Sequence, residues 1–387
     1  MMRTIYKVID KLLVLFIFLN VFAFDFFVGG LPLRYLALGG SFILTLFAAH
    51  KEVFNRIIFR FLFTIFVLYS ILFLYSILCG NKIENILSFL RPLSIFVIIP
   101  SLSFMSRVNG IERYLNAFIG SVLLLIAFFC GLLVLSFIDP PTALHFSESQ
   151  DLIMILNYNF IPRIIIKTFV FVIPTSFFFF NKYDGVKLNL IFVFFLIVSA
   201  LSQTYALTIG IVLMYIISLK KKGNSSQLIF SLVMYLIFFL FLYTTIGQTA
   251  LEMWDAKGDS VYYKEQQLSN FSKDMDGMKL LLGRGIGAEF VNMDSRHIKE
   301  SVIEVAAVQL FQYGGLIFSW IILYTYVLVV LPDIKRKFDD PRFFISVSQI
   351  GIFMASMSNP YLWGGGMGLF FVVLSVSYRA SLIKSKL

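Results

Sequence analysis

Apolar runs of bilayer-spanning character recur from one end of this chain to the other, Leu12 to Phe27, Phe61 to Leu78 and Leu228 to Tyr243 among them. No other feature narrows the fold as much. A hydrocarbon layer about 30 Å thick tolerates a backbone only where its polar groups are bonded internally. A helix meets that demand alone, so the expected fold class is all-α, a polytopic integral membrane protein. Composition points the same way. Of 387 residues, 59% are hydrophobic and 14% charged, with 46 phenylalanines; an average soluble domain is roughly half apolar and a quarter charged.

Apolar windows predict twelve spans, near residues 12 to 29, 36 to 50, 57 to 79, 87 to 105, 115 to 137, 164 to 180, 188 to 202, 205 to 219, 227 to 246, 314 to 331, 343 to 360 and 366 to 380. Together they make residues 1 to 387 a single transmembrane domain. Lys and Arg collect on alternate connections: Arg3, Lys7 and Lys11; Lys51, Arg56 and Arg60; Arg107 and Arg113; Lys182 and Lys187; Lys220 to Lys222; Lys335 to Lys337 with Arg342; Arg379, Lys384 and Lys386. The opposite side holds Arg34, Lys82, Arg91, Arg163 and Lys167 in its short loops and helix ends. By the positive-inside rule both termini are expected in the cytoplasm of a bacterial inner-membrane protein. The net charge of +10 is spread in these small groups rather than in one patch, which argues against nucleic acid as a partner. Cys79 and Cys130 lie in or at the end of apolar segments and carry no disulfide framework. No small-x-small cleavage site follows Leu12 to Phe27, so the first helix is expected to stay as an anchor.

Two outward connections exceed simple turns. Residues 138 to 163 form an expected first periplasmic loop with Asp139, His145, Glu148 and Asp151, and residues 247 to 313 an expected large one. Long ordered loops are more often functional than linking. In the large loop, Gly283-Arg284-Gly285-Ile286-Gly287 lacks the strand and the Lys-Ser/Thr ending of a phosphate loop, and reads as a turn whose glycines take unusual backbone angles. Asp274-Met275-Asp276 has metal-binding spacing, but that chemistry serves nucleotide sugars, which are absent outside the cytoplasm. Three histidines, none paired at metal-ligand spacing, make a zinc site improbable. Asp25, near the outer end of the first helix, divides evenly between functional and interfacial readings. Arg163, Arg284 and Arg296 could each be a snorkelling anchor or a solvated loop charge; together they could cradle a pyrophosphate, whose oxygens suit the planar fork of arginine. Glu304 opens a segment to Gly315 that reads as a helix lying on the outer face before the tenth span. On helical spacing, Arg296 and Glu300, and Glu300 and Glu304, share a face.

Leu31-Pro32-Leu33-Arg34-Tyr35, Gly80 to Leu87, Leu282 to Gly287, Ile303 to Ile317 and Ser358-Asn359-Pro360-Tyr361-Leu362 follow in an order that resembles the O-antigen polymerase (Wzy) family, kin to the O-antigen ligases. The resemblance implies a glycosyltransferase that moves a growing glycan from undecaprenyl pyrophosphate to the terminal hydroxyl of a new lipid-linked repeat. Its implied partners are undecaprenyl-pyrophosphate-linked oligosaccharide, membrane lipid and a chain-length-regulating co-polymerase. The resemblance marks Arg163, Arg284 and Arg296 for the pyrophosphate. The chain departs from the family pattern at three places. Thr204-Tyr205-Ala206 stands where relatives often carry Ser-Arg-Gly, Lys264 stands near an expected Arg and supplies a point charge, and Gln309 replaces a common Glu. The expected base is therefore Glu304, with His297 as the alternative. The competing readings are an O-antigen ligase and a polysaccharide flippase or transporter.

Overall fold

In the computed structural model the described residues are 2–22, 27–28, 31–53, 55–148, 153–156, 163–202, 204–223, 265, 268–269, 271, 273, 275, 277–291, 299–300, 306–357 and 367–383. Their α-helices, in order, are α1 (Met2–Phe22), α2 (Leu33–Val53), α3 (Arg56–Leu78), α4 (Ile83–Leu90), α5 (Ile99–Asn109), α6 (Ile111–Ile138) and α7 (Pro140–Glu148). There follow α8 (Val172–Lys182), α9 (Gly185–Leu201), α10 (Tyr205–Lys222), α11 (Gly277–Leu282), α12 (Ala306–Leu323), α13 (Pro341–Ser356) and α14 (Phe370–Ser381). Three short antiparallel pairs accompany them: β1 (Phe27–Val28) with β2 (Leu31–Pro32), β3 (Ile153–Leu156) with β4 (Arg163–Ile166), and β5 (Phe290–Val291) with β6 (Lys299–Glu300).

Among the described residues, four helical stretches are long and apolar enough to cross a membrane: Arg56–Leu78, Ile83–Asn109, Ile111–Ile138 and Ala307–Leu328. The second joins α4 to α5 through a 3-10 turn over Arg91–Ile98. Shorter apolar helices cover Leu33–Ala49, Thr168–Lys182, Gly185–Leu201 and Phe370–Ser381. The protein is thus helical and membrane-like in architecture. Helix α3 shows why. It buries Ile58, Phe61, Ile65, Tyr69, Leu72 and Ser76, a stripe at three- and four-residue spacing. Its other face is apolar as well, with Phe66 71% and Leu78 85% exposed. Burying such a side chain is worth about 1.5–3 kcal/mol, so a helix with this outer face is at home against lipid.

Backbone contacts divide the chain into two compact units, Met1–Leu125 with Asn270–Leu387, and Ile126–Ser269. In the second, α8, α9 and α10 pack on aromatic rings. Phe192 stacks on Tyr215 at 4.0 Å between centroids, and Gly210 lets α10 press against the Ile173 side chain. Lys222 closes the end of α10 by donating to the Phe180 and Tyr183 carbonyls, 2.8 and 2.6 Å away, and to Asp184. In the connection after α6, Asp139 caps α7 through the Thr142 backbone and hydroxyl. Those two bonds hold its carboxyl below the usual carboxylate range.

The first unit gathers its buried charges at one end. Asp10 on α1, only 7% exposed, accepts from Asn109, Arg113 and Tyr114. Asp333, 3% exposed, accepts from Arg379 at 2.6 Å. Asp340 caps α13 and accepts from Arg342, which lowers its carboxyl below the ordinary range. Asn55 caps the start of α3 and donates to the Ala380 carbonyl, tying that helix to the end of α14. From there α3 runs 23 residues, about 34 Å at 1.5 Å per residue, roughly one hydrocarbon thickness.

Three local expectations are corrected. The helix expected from 12 to 29 spans Met2–Phe22, and beyond it Phe27 and Val28 lie in β1, paired with Pro32 and Leu31 of β2. The span expected from residue 164 begins as strand: Ile164 pairs with Ile155 and Ile166 with Ile153, and helix α8 starts only at Val172. A β-branched isoleucine run fits a ladder as readily as a helix. Glu300, read on helical spacing with Arg296 and Glu304, lies in β6 opposite Phe290. The four-residue rule does not apply across a strand. The span expected at 227 to 246, Asp25, Asp274 and Asp276 lie outside the described residues.

Candidate functional site

At the far end of α3 from Asn55, an irregular loop is buried against helix ends. Residues 283 to 288 follow α11, and Gly283, Gly285, Gly287 and Ala288 are all buried. Non-helical backbone in an apolar setting survives only if every N–H and C=O is bonded. Here they are. The N–H of Gly283 donates to Lys279 O, of Arg284 to Gln312 O at 2.7 Å, of Gly285 to Tyr313 O at 3.1 Å, and of Ala288 to Gly285 O. The Ile286 N–H donates to Ser76 Oγ at 2.8 Å, and the Gly287 N–H to the Tyr313 hydroxyl.

The carbonyls are met in the same way. Tyr75 Oη donates to Gly283 O at 2.8 Å. Asn81 Nδ2 bridges the carbonyls of Arg284 and Ile286 at 2.8 and 3.0 Å. Asn85 Nδ2 reaches Gly287 O at 3.4 Å and the Glu289 carboxylate at 3.1 Å. Gln312 Nε2 donates to Ala288 O at 3.2 Å. Gln309, fully buried, donates to the Tyr313 hydroxyl at 2.8 Å and so supports the tyrosine under the loop. Lys82 pairs with Glu289 at 2.8 Å, which holds its ammonium above the usual lysine range.

Glycine is required at the turns. Gly283, Gly285 and Gly287 have φ of 74°, 81° and 76°. A Cβ on Gly283 would lie 2.5 Å from the Tyr313 carbonyl oxygen, and one on Gly287 2.8 Å from Asn85 Cβ. Across the contact, Gly315 breaks α12 with φ 53° and ψ −154°. Helix geometry is given up at Gly315 so that two backbones can touch. Gly283→Ala and Gly287→Ala are expected to lower the melting temperature of the solubilised protein sharply. The positive φ costs about 1–2 kcal/mol and the overpacking about 1–3 kcal/mol. Gly120→Ala, with open space around its Cβ, is the control. Equal melting temperatures for all three variants would show that the loop is not close-packed.

Of the residues expected to act, Arg284 is brought into this loop, partly buried, its backbone clamped on both sides. Arg163 lies on β4 opposite Leu156, in the other unit. Lys264, Arg296, His297 and Glu304 lie outside the described residues. Among the described residues no group of three or more His, Cys, Asp or Glu side chains could hold a metal ion. Sequence reading missed the clamp itself, Ser76, Asn81, Asn85 and Gln312. The stretches Gly80 to Leu87 and Ile303 to Ile317, singled out for their resemblance, contain Asn81, Asn85 and Gln312, but nothing in them marks these amides as partners of the glycine loop. Compared with known protein families, curated proteins and solved structures, the chain matches none of them.

Proposed function

We propose that this chain is an O-antigen polymerase, a metal-independent membrane glycosyltransferase acting at the periplasmic face of the bacterial inner membrane. One observation carries the reading: three of the stretches that resemble the polymerase family, distant in sequence, meet in one buried junction. Gly80 to Leu87 supplies Asn81 and Asn85, Leu282 to Gly287 supplies the loop, and the segment ending at Gly315 supplies Gln312 and Tyr313. The junction lies at the end of α3 opposite Asn55 and the buried charge clusters, as an outward-facing site should under the positive-inside rule. In full, the proposal comprises twelve spans, cytoplasmic termini and two large outer loops.

In the proposed reaction the bond from the donor sugar's anomeric carbon to the pyrophosphate oxygen breaks. A bond from that carbon to the acceptor hydroxyl oxygen forms, the hydroxyl proton passes to a base, and undecaprenyl pyrophosphate leaves. The leaving group is already activated, so the protein supplies charge, alignment and a base. Arg284 and Arg296 stabilise the departing pyrophosphate, Glu304 takes the proton with His297 as the alternative, and Arg163 and Lys264 add outer-loop cations. Purified protein given lipid-linked repeats is expected to build a glycan ladder. A single repeat transferred to lipid A core would instead identify a ligase, and movement of repeats across a vesicle wall without bond formation a transporter.

Topology has its own test. In a background lacking Cys79 and Cys130, Ser272→Cys is expected to react with a membrane-impermeant thiol reagent in intact spheroplasts, and Ser225→Cys only after lysis. The opposite labelling would reverse the orientation and remove the periplasmic assignment.

A further inference from the structure

The backbone of Arg284 is held from both sides. Two peptide planes meet at its Cα, and hydrogen bonds fix each of them. In the plane before it, Tyr75 Oη donates to Gly283 O at 2.8 Å and the Arg284 N–H donates to Gln312 O at 2.7 Å. In the plane after it, Asn81 Nδ2 donates to Arg284 O at 2.8 Å and the Gly285 N–H donates to Tyr313 O at 3.1 Å. The bonds to Gln312 and Tyr313 run between backbones, so the side chains that set this backbone are Tyr75 and Asn81.

Asn81 does more than meet one acceptor. A side-chain amide carries two N–H groups, and Asn81 Nδ2 also lies 3.0 Å from Ile286 O. The bridge spans Gly285, and the loop makes room for it: a Cβ on Gly285 would lie 2.7 Å from Asn81 Nδ2. Asn81 is itself anchored to α3, since its N–H donates to Ser76 O at 3.2 Å and Ser76 Oγ accepts from the Ile286 N–H. Its side chain is only half-buried. Loop carbonyls at such a rim can be met by water, so satisfying them does not require this residue. A donor tied to α3 adds a fixed direction for the chain on both sides of Gly285.

Direction matters at an arginine, because its charge sits at the far end of a long side chain. A preorganised group has to hold its place to within roughly 0.5 Å and 10–20°, and a misplacement of about 1 Å can cost about a hundredfold in rate. We infer that Asn81 is a positioning residue of the proposed transfer: by bridging the Arg284 and Ile286 carbonyls it fixes the backbone from which the Arg284 guanidinium meets the departing pyrophosphate. What Arg284 meets rests on the polymerase reading; that Asn81 acts through Arg284 has its own test.

The test is a double-mutant cycle on full-length protein in phosphatidylcholine nanodiscs, with rates taken per folded molecule. Asn81→Ala is expected to lower the turnover of lipid-linked repeats about tenfold or more and to leave their KM within about twofold, because the lost interaction belongs to the charge of the leaving group. In an Arg284→Ala background the same substitution should cost less than about twofold. Asn81→Ser, which retains one donor and serves if Asn81→Ala does not fold, should show a smaller loss with the same dependence on Arg284. Equal losses with and without the Arg284 side chain, or full turnover in both Asn81 variants, would reduce the amide to a strut of the loop and overturn the inference. If wild type makes no polymer, the polymerase reading falls and the cycle is read in the binding of farnesyl pyrophosphate, which carries the charge of the leaving group. Weaker binding in Asn81→Ala that vanishes in the Arg284→Ala background would then sustain the positioning role. A probe held alike by wild type and Asn81→Ala, or by neither, would overturn it.

Discussion

Glu304→Gln is expected to lower the rate of polymer formation by about two to four orders of magnitude, the range over which a positioned general base contributes. The substitution keeps size and hydrogen bonding but removes the basicity needed to take the acceptor proton. Glu304 stands two residues ahead of α12, the helix whose first turns supply Gln312 and Tyr313 to the loop beneath Arg284. Lipid-linked repeats should still bind to the variant, so the loss should appear in turnover and not in substrate retention. His297→Ala should be mild. If membranes carrying Glu304→Gln polymerise purified repeats normally while His297→Ala membranes do not, the two residues exchange roles.

Removing the Arg284 side chain is the second large effect, a fall of roughly one to two orders of magnitude. The scale follows from charge-assisted hydrogen bonds of about 1.5–3 kcal/mol each. Arg284→Ala keeps the loop's backbone bonds, Arg284 N–H to Gln312 O and Asn81 Nδ2 to Arg284 O, and is expected to insert and fold. Arg284→Lys should recover only part of the activity, since a point charge cannot reproduce a bidentate fork. Arg163→Ala, in the other unit, is a separate arm of the same experiment. Full-length glycan ladders on gels from Arg284→Ala cells would remove that arginine from the donor site, and from Arg163→Ala cells would do the same for Arg163.

Much of the helical framework was legible before any coordinates. Expected spans at 57 to 79 and 115 to 137 correspond to Arg56–Leu78 and Ile111–Ile138, because a long apolar run in a bilayer has one way to satisfy its backbone. The boundaries failed where local chemistry offered a second way. At Val28, paired with Leu31, and at the isoleucines of β4, a strand partner was available and the helix yielded to it. The glycines of 283 to 287 could be read as turn residues, since positive φ is a property of a single residue.

What surrounds those glycines could not be read. Ser76, Asn81 and Asn85 are ordinary polar residues at a helix end until the chain brings residues some two hundred positions away against them. The sequence by itself determined the solvent, the helices and the conformational freedom of the turns, because each depends on a residue and its near neighbours. Only the tertiary structure decided which polar groups complete one another, because the energy of a buried hydrogen bond belongs to a pair, and the pair exists only once the helices have packed.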